Sequence, residues 1–102
     1  CHTNSDSSMI SYYDTGKYYK PHHDSTQFTC LIWMYKEPKK FKGGDLKIIP
    51  AGETIECKSN RMVFFPSYLQ HSVSKLTSDK KIPFGQGRYC ITHFYNWEVN
   101  LV

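Results

Sequence analysis

The amino-acid sequence predicts an all-β domain, a sandwich or a barrel, and two observations support this class. About eight short apolar or aromatic segments are separated by turn-forming residues at intervals of roughly 8–12 residues, whereas no segment shows the 3.6-residue periodicity of an amphipathic helix. Aromatic residues make up 16% of the chain, which suits strands and a lined pocket. A chain of 102 residues can build one modest core, so residues 1–102 are expected to form a single domain.

The first third of the chain contains three predicted strands. Residues 1–8 are rich in Ser, Asn and Asp and are expected to form a frayed end. Aromatic segments at 9–13 and 17–22 predict the first two strands, because the Asp-Thr-Gly sequence between them favours a turn. The third predicted strand, 28–35, is an almost continuous apolar run, which is typical of a strand buried on both faces.

Five further strands are predicted, at 45–50, 54–57, 62–65, 70–76 and 88–96. Two of them end at a proline, which lacks the backbone N–H that a sheet ladder requires. The basic loop at 77–86 is long for a hairpin, and we interpret it as a candidate flap that faces a substrate.

The charge balance places no strong constraint on partners. The chain has a net charge of +4, with 13 Lys and Arg against 9 Asp and Glu, and no long run of one sign. This balance is typical of a soluble surface. A nucleic-acid or acidic partner is compatible with it but is not required.

The sequence predicts a cytoplasmic protein that does not enter a membrane. It contains no apolar run of the 18 or more residues that a membrane span needs, and no signal peptide. The cysteines show neither a Cys-x-x-Cys pair nor the density of a disulfide scaffold, so we interpret them as reduced and buried: Cys1, Cys30, Cys57 and Cys90. The chain begins at Cys1 and not at methionine, so it can be a piece of a longer protein.

A histidine and a carboxylate two residues apart, His22 and Asp24, form the most informative motif. In an extended chain the side chains at i and i+2 leave the same face, so these two can converge on one point while His23 points away. Together with one more histidine they would complete the 2-His-1-carboxylate set that binds iron(II), and His71 is well placed to supply it. Alone, His-x-Asp is a weak signal, because most histidines are surface or hydrogen-bonded residues.

The His-x-Asp signal is strengthened because it is part of four motifs that follow one another along the chain: Tyr-x-x-Gly-x-x-Tyr-x-x-His-x-Asp, Phe-x-Gly-Gly-Asp-Leu, Phe-Pro followed by His, and Arg-Tyr-x-Ile-Thr. This arrangement, over about residues 12–97, resembles the catalytic core of the 2-oxoglutarate and Fe(II)-dependent dioxygenases, specifically their prolyl 4-hydroxylase-like branch. The resemblance implies a double-stranded β-helix, a jelly roll of about eight strands, which agrees with the strand count from the residues.

The resemblance also implies roles for individual residues. The iron ligands would be His22, Asp24 and His71. The side chains that contact 2-oxoglutarate would be Arg88, which meets its distal carboxylate with two parallel hydrogen bonds, and Tyr13 and Thr92, which add hydroxyl contacts. Phe94 would line the pocket near the metal.

Each of these residues also has an ordinary structural interpretation. Arg88 could extend to solvent from a strand, Tyr13 could pack across a sheet, and Thr92 could be a β-branched filler. The Gly43-Gly44 pair could begin a strand at a bulge, although in the family it lets the chain approach closely near the pocket mouth. The remaining histidines are expected at the surface or behind the metal ligands: His2, His23 and His93.

The activity implied by the resemblance is hydroxylation of a C–H bond, with Fe(II), O2 and 2-oxoglutarate as cofactors and cosubstrates, ascorbate as a candidate reductant, and succinate and CO2 as products. A peptidyl proline is the favoured substrate, and a free amino acid or another small molecule stays open. AlkB-type nucleic-acid demethylases carry a second arginine six residues after the first, and because Phe94 occupies that position, nucleic acid is disfavoured.

A second class of function is a non-catalytic jelly-roll binding module, or a cupin-like protein with a structural metal. The joint presence of three candidate ligands and Arg88 argues against it. Two departures from the family pattern are the longer interval between His71 and Arg88 and the near absence of residues before the core, which would leave one sheet face to a partner. The sequence leaves the oligomeric state open.

Overall fold

The computed structural model describes residues 3–98, which form eight β-strands in two four-stranded sheets. The strands are β1 (Ser5–Tyr13), β2 (Tyr19–His22), β3 (Phe28–Met34), β4 (Leu46–Ile48), β5 (Glu53–Ile55), β6 (Met62–Pro66), β7 (His71–Val73) and β8 (Arg88–Asn96). The predicted all-β class is confirmed.

The two sheets are built by a chain that crosses repeatedly between them. The larger sheet has the order β1-β8-β3-β6 and the smaller one the order β2-β7-β4-β5, and neighbouring strands are antiparallel throughout. Only β4 and β5 are consecutive strands in the same sheet. This alternation between two facing sheets is the double-stranded β-helix that the sequence predicted.

The prediction of a frayed end at residues 1–8 is wrong for its second half. Strand β1 begins at Ser5 because residues 5–8 pair with the end of β8. Two polar side chains reinforce this pairing at His93: Asp6 Oδ2 lies 2.8 Å from Nε2, and Ser8 Oγ lies 2.6 Å from Nδ1. Cys1 and His2, included in that prediction, lie outside the described residues.

Two other strands, β4 and β7, show the largest shortening relative to the prediction. The segment predicted at 45–50 pairs only over Leu46–Ile48, because the chain then turns and Gly52 N donates to Ile49 O at 3.1 Å. The segment predicted at 70–76 pairs only over His71–Val73. Both changes leave the order of the strands as predicted.

The core lies between the sheets. The inward residues of β3 alternate with outward ones, and Trp33 and Leu31 are buried against Leu46 and Leu76. The prediction that β3 is buried on both sides holds only in part for its outer face, where Cys30 is buried but Met34 is exposed. Exposed apolar side chains of β1 and β6 share this outer face: Ile10, Met62 and Phe64.

The cysteines of the described residues behave as small core side chains. Cys30, Cys57 and Cys90 are free and buried, as predicted. Burial raises the pKa of the Cys30 and Cys57 thiols, which makes them poor nucleophiles near neutral pH. Among residues 3–98 no helix exists that is long and apolar enough to cross a bilayer.

Candidate metal centre

The pairing of β2 with β7 brings the two histidines of the site together. His22 is the last residue of β2 and His71 the first of β7, and the two are direct cross-strand partners. Asp24 follows two residues after His22, and its backbone N–H donates to Ser67 O at 3.0 Å. The motif predicted from spacing therefore converges on one place.

The three side chains point at a common centre. Asp24 Oδ1 lies 3.7 Å from His22 Nε2, and Asp24 Oδ2 lies 3.4 Å from His71 Nε2. One potential ligand atom from each residue lies within 4.8 Å of the others. Two imidazoles and one carboxylate at this separation fit a divalent transition metal and leave coordination positions open.

The hydrogen bonds of the imidazoles favour metal binding. His22 Nδ1 lies 2.9 Å from Lys20 O, and His71 Nδ1 lies 2.7 Å from Leu69 O. Because a carbonyl oxygen only accepts, Nδ1 carries the proton in both rings. In the neutral imidazole, Nε2 then offers its lone pair toward the centre, which is the arrangement that metal-binding histidines require.

Two pKa values at the site are shifted in opposite directions. Burial alone would raise the pKa of Asp24, but hydrogen bonds from His71 and Thr29 and the histidine charges outweigh it and lower the pKa. Burial alone would lower the pKa of His71, but its hydrogen bonds to Asp24 and Leu69 outweigh it and raise the pKa. Each group thus stabilises the charged form of the other, so a metal ion bound at His71 Nε2 would compete with a proton.

A chain of hydrogen-bonded hydroxyl groups supports the Asp24 carboxylate. Thr29 Oγ1 donates to Asp24 Oδ2 at 2.9 Å, Ser67 Oγ lies 2.7 Å from Thr29 Oγ1, and Thr26 Oγ1 lies 2.9 Å from Ser67 Oγ. Each hydroxyl has a single proton, so Ser67 must donate to Thr29, and Thr26 to Ser67. Because Thr29 and Ser67 are buried, this directional chain fixes the orientation of Asp24.

A cavity of about 240 Å³ extends from this centre into the sandwich, and every predicted site residue lines it. The metal end is formed by His22, Asp24, His71, Thr92 and Phe94, and the deep end by Tyr13 and Arg88. The remaining walls are mostly apolar: Leu31, Leu46, Val73 and Cys90.

Arg88 is a buried cation held at the deep end. Arg88 is only 2% exposed, and its Nε donates to Gly44 O at 2.9 Å. The guanidinium carbon lies 4.8 Å from the Tyr13 ring centroid and 5.8 Å from that of Trp33. Burial raises the pKa of the Tyr13 phenol despite the opposing charge of Arg88, so Tyr13 stays a hydrogen-bond donor. This end of the cavity suits a carboxylate.

Sequence reasoning misplaced one feature and missed two others. Gly44 lies beside Arg88 at the deep end and not at the mouth, with φ of +71°, and a Cβ there would lie 2.7 Å from Arg88 Cδ. The hydroxyls of Thr29 and Ser67 were not recognised, although Ser67 directly follows the Phe-Pro motif. Tyr19 was also missed as a site residue, and its ring packs against His22 in a tilted arrangement with centroids 3.8 Å apart.

The loop at 77–86 does not act as a flap over the metal end. None of its residues lines the metal cavity. Lys42 and Thr77 exchange backbone hydrogen bonds of 2.8 and 2.9 Å, and Ile82 is buried in the core. These contacts hold the loop at the opposite end of the sandwich, beyond Arg88.

The 2OG-Fe(II) oxygenase superfamily model matches residues 8–96. The chain belongs to this superfamily. An uncharacterized PKHD-type hydroxylase from Synechocystis sp. is 26% identical over 111 residues, which cover 90% of this chain and 36% of the relative. The assignment to the superfamily is therefore confirmed.

Solved structures agree on the fold of this oxygenase domain. A prolyl-4-hydroxylase from Pseudomonas putida superposes with a TM-score of 0.69 at 18% identity, covering 94% of this chain and 55% of that one. An RmlC-like cupin from Desulfovibrio desulfuricans gives 0.55 at 11% identity, covering 92% and 76%. The chain thus spans about a third of the Synechocystis relative and about half of the Pseudomonas protein.

We expect Thr29→Val to weaken metal binding by about tenfold, because it removes the hydroxyl that orients Asp24 and leaves the side-chain volume nearly unchanged. Isothermal titration of the metal-free domain with Mn²⁺ or anaerobic Fe²⁺ measures this. Thr54→Val, on the exposed face of β5, is the matched control and should bind as the unmodified domain does. Equal affinity in all three proteins would contradict the orienting role.

We expect Gly44→Ala to weaken 2-oxoglutarate binding by about tenfold, the effect of one disturbed charge-assisted hydrogen bond. The new methyl group displaces Arg88. Gly52→Ala is the control, because Gly52 has a similar φ of +65° with nothing within 4 Å of the added Cβ. Calorimetric titration with 2-oxoglutarate in the presence of Mn²⁺ compares the two, with thermal unfolding to verify folding. If both variants bind alike, Gly44 does not position Arg88.

Proposed function

We propose that this domain is an Fe(II)- and 2-oxoglutarate-dependent dioxygenase that hydroxylates a C–H bond, most favourably that of a peptidyl proline. The observation that carries this proposal is the placement of His22, Asp24 and His71 at one end of a cavity whose other end holds the buried cation Arg88. The balanced reaction converts substrate, O2 and 2-oxoglutarate into hydroxylated substrate, succinate and CO2.

In this proposal the metal is held by Nε2 of His22, Nε2 of His71 and a carboxylate oxygen of Asp24. When bound, iron(II) supplies dioxygen activation and oxidation of an unactivated C–H bond, driven by decarboxylation of the cosubstrate. The protein orients its ligands through the Lys20 and Leu69 carbonyls and the Thr29 hydroxyl. No side-chain acid or base is required for the oxygen transfer.

The cosubstrate would bind with its distal carboxylate at Arg88. The guanidinium uses Nε for Gly44 O and also contacts the Cys57 thiol, and its remaining N–H groups would bind the anion, with the Tyr13 hydroxyl as a further donor. Thr92 is buried and lies on the same face of β8 as Arg88, so its hydroxyl can contact the bound molecule between its two ends. The apolar walls exclude water, which protects a reactive oxidant from side reactions.

The entrance to the site supports a peptide substrate. A depression of about 440 Å³ adjoins the metal cavity, and the two share Tyr19, His22, Asp24 and Phe94. Two aromatic side chains at an entrance suit a proline ring, since proline-containing peptides dock on aromatic surfaces. The similarity in fold to a prolyl-4-hydroxylase supports the same choice.

Other functions of the same fold are less well supported. A cupin shares this architecture, so the fold alone does not separate an oxygenase from a module with a structural metal. A purely structural metal site would not need a buried cation facing the cavity, whereas an oxygenase needs one for its cosubstrate. Phe94, in place of a second arginine, disfavours nucleic acid.

We expect Asp24→Ala and Arg88→Ala each to reduce succinate formation from 2-oxoglutarate by about 100-fold or more. The assay contains Fe²⁺, O2 and ascorbate. The two variants should fail for different reasons, since Asp24→Ala loses metal affinity and Arg88→Ala keeps it but loses affinity for 2-oxoglutarate. Lys47→Ala, on an exposed position of β4, is the control. Normal turnover in both variants would reject this site.

We expect a mass increase of one oxygen atom on a proline-containing peptide incubated with the domain, Fe²⁺ and 2-oxoglutarate. The same peptide with alanine in place of proline should remain unmodified, and free proline and methylated oligonucleotides should be turned over more slowly. Tandem mass spectrometry locates the added oxygen. Oxidation of an oligonucleotide with no peptide modified would overturn the peptide assignment, although the oxygenase assignment would stand.

A further inference from the structure

A second cavity lies at the end of the sandwich opposite the metal. It is a groove of about 530 Å³ between two loops, 39–42 on one wall and 77–83 on the other. It shares no lining residue with the metal cavity. The candidate metal site lies level with Phe94 on β8 and the groove lies beyond Arg88, so about 20 Å of strand separates the two.

The groove is strongly and locally basic. Five of its lining residues are lysines, against Asp79 as its one lining acid: Lys39, Lys40, Lys42, Lys80 and Lys81. None of the ion pairs formed within residues 3–98 involves any of the five. Uncompensated charges of one sign on both walls of a cleft focus the field inside it and attract anions.

The groove is preformed. Its walls are joined by the backbone hydrogen bonds between Lys42 and Thr77, and each wall is anchored by a buried side chain, Phe41 on one loop and Ile82 on the other. Lys39 is also fixed, since its Nζ donates to Cys57 O at 2.8 Å and lies 5.0 Å from the centre of the Phe41 ring. A ligand therefore meets an ordered surface, which reduces the entropy lost on binding.

The shape of the groove selects among anionic partners. A concave cleft cannot lie flat on a membrane, and its volume is too small for a nucleic-acid duplex. Single-stranded nucleic acid usually stacks successive bases on several exposed aromatic rings, whereas this groove has one buried ring, Phe41, and a single exposed ring beside it, Phe84. An extended polypeptide with acidic side chains fits the charge of the groove. Phe84, fully exposed next to the lining residue Pro83, offers an apolar contact for the same chain.

We propose that this groove is a docking site for an acidic polypeptide segment, separate from the metal centre. Carboxylates of the segment pair with the free ammonium groups of both walls. The binding requires neither metal nor cosubstrate, so its test does not depend on the oxygenase assignment.

The test uses metal-free domain and a fluorescently labelled octaglutamate, followed by polarization. Saturable binding is expected, and it should weaken when salt rises from about 50 to about 300 mM because surface charges are screened. Lys40→Glu and Lys80→Glu, one on each wall, should each weaken binding by about fivefold or more. Lys47→Glu, which makes the same change in net charge outside the groove, should have little effect.

Two-dimensional NMR of the 12.0 kDa domain locates the peptide. Shifts confined to 39–42, 77–83 and Phe84 support the proposal. Absence of octaglutamate binding, an equal loss in Lys47→Glu, or shifts centred on the metal end would overturn it. Tighter binding of an eight-nucleotide oligothymidylate, or of phosphatidylserine vesicles, at the same lysines would overturn the choice of partner.

Discussion

The antiparallel pairing of β2 with β7 is the constraint on which the candidate metal centre depends. His22 faces His71 across this ladder, while Tyr19 faces Val73, so β2 has one residue more than β7 between the two pairs. That extra residue makes a bulge, and Pro21, which has no N–H to give to a ladder, lies within it. The bulge sets the direction of His22, and Asp24 is then fixed by Ser67 and Thr29. A regular strand would orient the histidine differently.

Strand β8 connects the two ends of the cavity. It lies between β1 and β3, and its residues alternate between the cavity and the outer face. Arg88, Thr92 and Phe94 therefore line one wall in the order of increasing proximity to the metal, while His93 points outward to Asp6 and Ser8. The distance between Arg88 and the candidate metal site is thus set by the rise per residue along β8, which is a rigid spacer.

The sequence was sufficient for features that depend on short-range periodicity. The two-residue period placed His22 with Asp24 and Arg88 with Thr92, and turn residues separated eight strands in the observed order. Features that depend on contacts between distant residues were not predictable in this way. Thr29 and Ser67 are far apart in the chain, and no local pattern shows that they meet.

The same distinction explains the errors. The polar residues 5–8 have no apolar alternation, and their pairing is supported by a histidine near the other end of the chain. The loop at 77–86 has the composition of a flap, but the buried Ile82 and the pairing of Thr77 with Lys42 hold it at the far end. The role of Gly44 could not be predicted without knowing which side chain approaches it. That side chain is Arg88, 44 residues later.

The burial of Arg88 has a consequence for how the cavity is used. A guanidinium removed from water is unfavourable unless its charge is compensated. Within residues 3–98 the compensation comes from the Gly44 carbonyl, the Cys57 thiol and two aromatic faces, with no carboxylate paired to Arg88. The domain therefore keeps a desolvated positive charge that is only partly satisfied until an anion enters. Such an arrangement gives a carboxylate ligand a large electrostatic gain at this one position. Because the cavity extends from Arg88 to the metal end, we propose that a dicarboxylic acid held at Arg88 by one carboxylate would present its other end to His22, Asp24 and His71.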